Sequence, residues 1–303
     1  MNRSDAADSA HTQAGARVRF EWGRAGAALI RPGEVAVVVD VLSFSTAVSV
    51  AADRGIEVLP YPWARADAAE HAKRHDAELA VRRGEAGPGQ VSLAPGSLRR
   101  AEGLRRVVLP SPNGATISHH LQSAGAQVLA GCLRNAAAVG RWAAARGVGV
   151  LVIAAGERWP DGTLRPAVED LWGAGAVIDA VAEALPDGGG AAASVGAPGA
   201  CSPEAQVARD AYRAARTAAA DSGWPRLLAD LASGRELVTA GHGEDVRIAA
   251  EVGAGDAVPL LVGAVAEGHG FIPADPVPMT RTVDGPARDP HFESGERGAR
   301  RFR

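Results

Sequence analysis

Short β-branched runs alternate with Ala-rich stretches of helical spacing along most of the chain. VAVVVDVL at Val35 to Leu42 is followed by FSTAVSVAADRG, and IEVLP by ARADAAEHAKRH. VVLP at Val107 to Pro110 precedes a helix expected from about Ala115, QVLA at Gln127 to Ala130 one from about Asn135, and VGVLVIAA one from about Ala167. This order predicts βαβ units, and so an α/β fold: a layered α/β/α arrangement with a mostly parallel or mixed sheet. VGVLVIAA, at Val148 to Ala155, is apolar on both alternating faces and reads as a strand buried above and below, in mid-sheet. GGGAAASVGAPGA, at Gly188 to Ala200, reads as a loop before helical segments at Pro203 to Asp221 and Trp224 to Ser233. A break near residues 187–202 allows two lobes, but completion of one compact unit is preferred. Residues 1–16 and 280–303 are polar and read as disordered tails, the second of them basic, around an α/β domain at 17–279.

Composition narrows this picture. With 32 basic and 35 acidic residues, the formal charge is −3, spread without a long run of one sign, so no nucleic-acid partner is expected. No run approaches the ~18 apolar residues of a membrane helix, so no membrane association is expected either. The two cysteines, Cys132 and Cys201, form no CxxC pair, which fits a reducing compartment and a cytoplasmic location.

Candidate chemistry gathers where apolar runs end. Asp40 closes VAVVV just before a helix, the position at which open α/β sheets place ligand groups. A carboxylate there can hold Mg²⁺, with Ser43, Ser45, Thr46 and free helix amides facing an anion, or it can simply cap the helix. Leu42 stands where haloacid dehalogenase phosphatases need a second Asp, and Lys73, the single lysine, follows no P-loop glycine run. Ser111-Pro112-Asn113-Gly114 opens the next helix, where Gly114 permits close backbone approach. Gly156-Glu157-Arg158 follows the buried run and leads through WPDGTLRP, with Arg158 and Arg165, to adjacent Glu169 and Asp170. His119 and His120, adjacent on a helix, face about 100° apart and cannot form a metal pair. Cys132 reads as packing and His242 as a solvated loop residue.

Taken in order, DVLSFSTAVSVAADRG, RRGEA, SPNGAT, GCLRNAAAV, AAGERWPDGTLRPAVEDLWGAGAVI and GHGEDVRIAAEVGAGDAVPLL resemble the 2-phosphosulfolactate phosphatases of coenzyme M biosynthesis, over roughly Val35 to Leu261. The resemblance implies Mg²⁺-dependent hydrolysis of a small phosphate monoester, 2-phosphosulfolactate or a related 2-phospho acid, with a homodimer as an allowed assembly. It assigns catalytic roles to Asp40, Glu85, Asn113, Glu169 and Asp170, and metal binding to Asp40, Glu169, Asp170 and Asp245. Together with the loop positions read above, the candidate substrate contacts are Ser43, Ser45, Thr46, Gly114, Thr116, Arg134, Asn135, Arg158 and Arg165. Three family arginines are missing: Ser43, Ala86 and Thr116 stand in their places. Guanidinium forks are the expected means of holding a substrate with several acid groups, so Arg134, Arg158 and Arg165 are candidates to fill the gap. The alternatives are a changed substrate or an inactive metal- and anion-binding relative.

Overall fold

The computed structural model describes residues 11–62, 67–185, 200–263 and 269–275. The first half runs β1 (Val18–Trp22), α1 (Gly23–Ala27), β2 (Val35–Val39), α2 (Phe44–Asp53), β3 (Glu57–Pro62), α3 (Ala68–Arg74), β4 (Glu78–Leu79), a 3-10 turn (Arg83–Glu85), α4 (Pro95–Arg100), β5 (Arg106–Ser111), α5 (Gly114–Ser123), β6 (Gln127–Gly131) and α6 (Ala136–Ala145). There follow β7 (Val150–Ala154), β8 (Glu157–Arg158), β9 (Leu164–Arg165), α7 (Val168–Ala184), α8 (Pro203–Ser222), α9 (Trp224–Asp230), α10 (Ala232–Thr239), α11 (Gly243–Ala249), β10 (Pro259–Val262) and β11 (Gly270–Pro273).

Among the described residues, nine strands form one sheet in the order β1-β7-β2-β6-β10-β11-β3-β5-β4, and β8 and β9 form a separate small hairpin. The sheet contains two parallel blocks, β1-β7-β2-β6 and β3-β5-β4. The antiparallel pair β10–β11 joins them, through Leu260 opposite Leu129 and Phe271 opposite Val58. The mixed sheet is therefore completed by β10 and β11, which follow the helices of the second half.

Two-residue periodicity divides the core. Val35, Val37 and Val39 of β2, with Val150 and Val152 of β7, pack with α6, α7 and α8 on one face. Ala36 and Val38, with Leu151 and Ile153, pack with α2 and α5 on the other. The alternation of a strand between opposite faces thus yields three layers. β7 is buried along its whole length, as expected, but it lies one strand in from the sheet edge and not in the middle. Its outer neighbour is β1, whose VRFEW pattern gave no strand signal, and whose Arg19 is buried against Glu34.

The loop expected at 188–200 and the tail expected from 280 lie outside the described residues, apart from Ala200. In the first expected tail, residues 11–16 are ordered against β1. Gln13 Nε2 donates to the Phe20 carbonyl at 2.7 Å, and Gln13 Oε1 accepts from the Phe20 amide at 3.2 Å. Among the described residues, no helix is long and apolar enough to cross a membrane.

The outer helices approach closely because small residues meet there. A Cβ on Gly175 of α7 would lie 2.1 Å from the Ala208 carbonyl oxygen of α8, and one on Gly140 of α6 would lie 2.5 Å from Ala180 Cβ. Gly175→Ala should therefore force α7 and α8 apart and cost about 1–3 kcal/mol, read as a lowered urea midpoint. An unchanged midpoint would show that the two helices do not pack this closely.

Candidate active site

β2 ends at Val39 because the next residues turn away to build a loop. The Asp40 amide donates to Ser45 Oγ at 3.0 Å, Ser45 Oγ donates to the Val38 carbonyl at 2.9 Å, and Thr46 Oγ1 donates to the Val41 carbonyl at 2.8 Å. Ser45 and Thr46 are fully buried. Their hydroxyls shape the loop, which corrects the expectation that they face a ligand.

The loop presents the Asp40 carboxylate to the N-termini of two helices. Oδ1 accepts from the Phe44 amide of α2 and Oδ2 from the Gly114 amide of α5, each at 3.1 Å. Free amides and helix dipoles at both ends favour an anion between them. Gly114 is required for this approach, since a Cβ there would lie 2.2 Å from Phe44 Cδ1. The Gly114 amide is therefore engaged with Asp40 and not directly with a substrate oxygen.

Asp170, in the first turn of α7, ties two strand ends together. Oδ1 accepts from the Val41 amide at 2.7 Å and Oδ2 from the Gly156 amide at 2.8 Å. Glu169 beside it is buried, and its charge acts on Asp40, Asp170 and Glu157. Glu157, just past β7, accepts from Asn113 Nδ2 at 3.1 Å, while Asn113 Oδ1 accepts from Arg158 Nε at 3.2 Å. Asp40, Glu157, Glu169 and Asp170 thus form one acidic group. Sequence reasoning named the Gly156-Glu157-Arg158 stretch but chose Arg158 from it; the position directly after a buried strand was the available signal for Glu157.

Burial dominates the electrostatics. It pushes the Asp40 carboxyl up to about 6, with Glu169 adding to the rise and the Phe44 and Gly114 amides and Arg83 opposing it. Burial, then the charges of Asp40 and Glu169, push Glu157 up to about 7 against Arg165 and Asn113. Asp170 is raised well above the carboxylate range by burial and the same two neighbours. Four acids compete for too few counter-charges.

A family model described as 2-phosphosulpholactate phosphatase matches residues 27–264. The chain belongs to the 2-phosphosulpholactate phosphatase family. No curated protein matches it. The matched span of this phosphatase-family chain contains every residue of the acidic group.

Several residues that the family pattern nominated lie elsewhere. Glu85 is exposed on the 3-10 turn, 4.0 Å from Arg82 Nη1, and outside the acidic group. The same turn supplies Arg83 instead, which sequence reasoning missed. Arg83 Nε donates to Asp245 Oδ2 at 2.8 Å and Nη2 to Ser43 Oγ at 2.6 Å. Asp245 is buried and paired with the partly buried Arg83; burial raises its carboxyl against the pull of that guanidinium. Arg134 is buried in ion pairs with Asp53 and Glu251, so it cannot replace a missing arginine. Asn135 is fully buried; its Oδ1 accepts from the Cys132 amide and its Nδ2 donates to the Ala130 carbonyl, a structural role. Arg165 donates to Ser233 Oγ at 2.9 Å, yet its charge still reaches Glu157. Thr116 lines a cavity of about 170 Å³ with Asn113, Glu157 and Arg158. Cys132 is buried, and burial raises its thiol, in keeping with packing.

Among the described residues, no three His, Cys, Asp or Glu side chains are gathered closely enough to form a ready metal cage. The chemistry of the acidic group nevertheless fits a hard cation. Its donors are carboxylate oxygens, and its shared negative charge is neutralised either by protons or by a cation.

This balance sets a pH dependence for the metal-free protein. The folded-state values of Asp40 and Glu157 lie above their ordinary ones, so the folded protein binds more protons than the unfolded chain between about pH 4.5 and 7. Stability in chelator should therefore fall as pH rises from about 4.5 to 7 and level off above, by at most about 1.4 kcal/mol per pH unit for each titrating group. Glu157→Gln should flatten the curve between about pH 6 and 7, where Asp40 has already lost its proton in both states. Urea midpoints from pH 4.5 to 8 test this, and a flat or rising curve between pH 5 and 7 would contradict it.

Proposed function

We propose that this chain hydrolyses a small anionic phosphate monoester, 2-phosphosulfolactate or a related 2-phospho acid, with Mg²⁺. The observation that carries the reading is the Asp40 carboxylate fixed between two helix N-termini, with Glu157, Glu169 and Asp170 around it. Mg²⁺ held by Asp40 and Glu169, with Asp170 behind them, would polarise the phosphoryl group as a Lewis acid. Asp245 is drawn off by Arg83 and leaves this ligand set.

Glu157 is suited to act as general base. Its value of about 7 lets it be ionised near neutral pH and still take a proton from water. Asn113 holds one of its oxygens, and Arg158 in turn holds Asn113, so the base has a fixed orientation. Asp40 has both oxygens engaged by amides, which suits a fixed charge better than a nucleophile that must swing to phosphorus. Direct attack by water is therefore the favoured route. Arg158 and Arg165 supply positive charge on the Glu157 side, where charge on the transferred group develops.

Phosphate release from a panel of esters, with Mg²⁺ and with chelator, tests the reading. Release should need the metal and vanish in Asp40→Asn. Glu157→Gln should lower kcat by about 10²–10⁴ with a smaller change in KM and abolish the rise of rate with pH through that group's titration. Full activity in chelator would sink the metal's role, and an unaltered pH profile would remove Glu157. No release from any ester by folded protein would leave a binding relative of the same fold.

A further inference from the structure

Arg83 borders a cavity of about 340 Å³ that the phosphoryl chemistry does not use. That volume is at the lower end of small-molecule sites, which span about 300–1,000 Å³. Its wall includes Arg83, Gln90, Arg100, His242, Glu244 and Asp245. Arg100 pairs at the exposed rim with Glu244 at 2.6 Å. Arg83 is held in a fixed position by Asp245 and Ser43 and still keeps donors to spare. A guanidinium carries five N–H donors in a rigid fork, and the two bonds to Asp245 and Ser43 use only Nε and one position on Nη2.

The arrangement has a direction. Asp40 Oδ1 accepts from the Phe44 amide, next to Ser43, which Arg83 holds, while Oδ2 accepts from the Gly114 amide, next to Asn113, which holds Glu157. Asp40 therefore lies between Arg83 on one side and Glu157 on the other. An in-line displacement needs attacking water and leaving group on opposite sides of the phosphorus. If water comes from the Glu157 side, the alcohol portion of the ester must leave toward Arg83.

The geometry points to the Arg83 cavity as the subsite for the alcohol portion of the substrate, with Arg83 as a specificity-determining residue that binds a carboxylate or sulfonate on that alcohol. The inference rests on the phosphatase reading for its direction. Ser43 is part of the arrangement, since its hydroxyl accepts from the fork and fixes it beside the Asp40 loop. Bidentate recognition explains why a single arginine suffices to select acid-bearing alcohols over plain ones.

The test compares kcat/KM for 2-phospholactate with that for ethyl phosphate, in wild type, Arg83→Ala and Arg83→Lys. Arg83→Ala leaves Asp245 buried without its counter-charge, so Arg83→Lys serves as the variant that keeps a charge and loses the fork. The preference for the acid-bearing ester should fall roughly 10- to 150-fold in Arg83→Ala and partway in folded Arg83→Lys. A preference that survives in both variants overturns the proposal, as does an equal loss on both esters, which would place Arg83 at the phosphoryl group or in the fold. Calorimetry with sulfoacetate separates this proposal from the phosphatase reading. Arg83-dependent binding by a protein that releases no phosphate supports the subsite and sinks the reaction, and binding that ignores Arg83 sinks the subsite.

Discussion

The site depends on one carboxylate that is not itself placed to react. Asp170 accepts from the amides of Val41 and Gly156, each just past the end of a parallel strand, where the ladder no longer supplies a partner. A charged acceptor for both amides fixes β2 and β7 against each other at the point where their loops diverge. Asp40 stands immediately before the first of these amides and Glu157 immediately after the second. Glu169, adjacent on the same helical turn, faces about 100° away from Asp170 and so enters the group from the same support. One side chain therefore sets the backbone from which three other acids project.

That support brings together charges which repel. The N-termini of α2 and α5 point at Asp40, and α7 carries Asp170 and Glu169 in its first turn, so three helix dipoles favour negative charge here. Even so, burial outweighs the amide bonds at Asp40, whose carboxyl stays above the ordinary range. A helix terminus contributes roughly 0.3–2 kcal/mol, whereas taking a carboxylate out of water costs several. The fold thus holds its acids in place without satisfying their charge, and the remainder suits a cation better than further hydrogen bonds.

The positions of Asp40 and Gly114, just past strand ends, were legible because they follow from local periodicity: a buried strand must end, and the residue after it faces the sheet edge. What lay outside that signal was non-local. Arg83 reaches Asp245 across 162 residues and Ser43 across 40, and no spacing along the chain announces either contact. Arg134 was placed correctly at a loop near the sheet, but its guanidinium is taken by Asp53 and Glu251, a choice made by the packing of α2 and the segment after α11. Ser45 and Thr46 sat at the right loop with the wrong role, because short hydroxyls readily bond their own backbone. β1 escaped notice since its core position Arg19 is polar and becomes tolerable only once Glu34 is beside it.

A small hydroxyl at Ser43 determines how the Asp40 loop acquires a positive charge. An arginine at that position would carry its charge on the loop itself and follow it wherever it moved. Ser43 accepts a charge delivered from elsewhere: Arg83 comes from the 3-10 turn and is held on its other side by Asp245 of α11. The cation beside Asp40 is therefore correct only when three separate segments are mutually in place. Because Arg83 opposes the rise in the Asp40 carboxyl, any displacement of α11 or of the turn would raise that carboxyl further and favour its protonated form. The electrostatics of the acidic group are thus tied to the packing around the larger cavity, through one guanidinium and the two short side chains that position it.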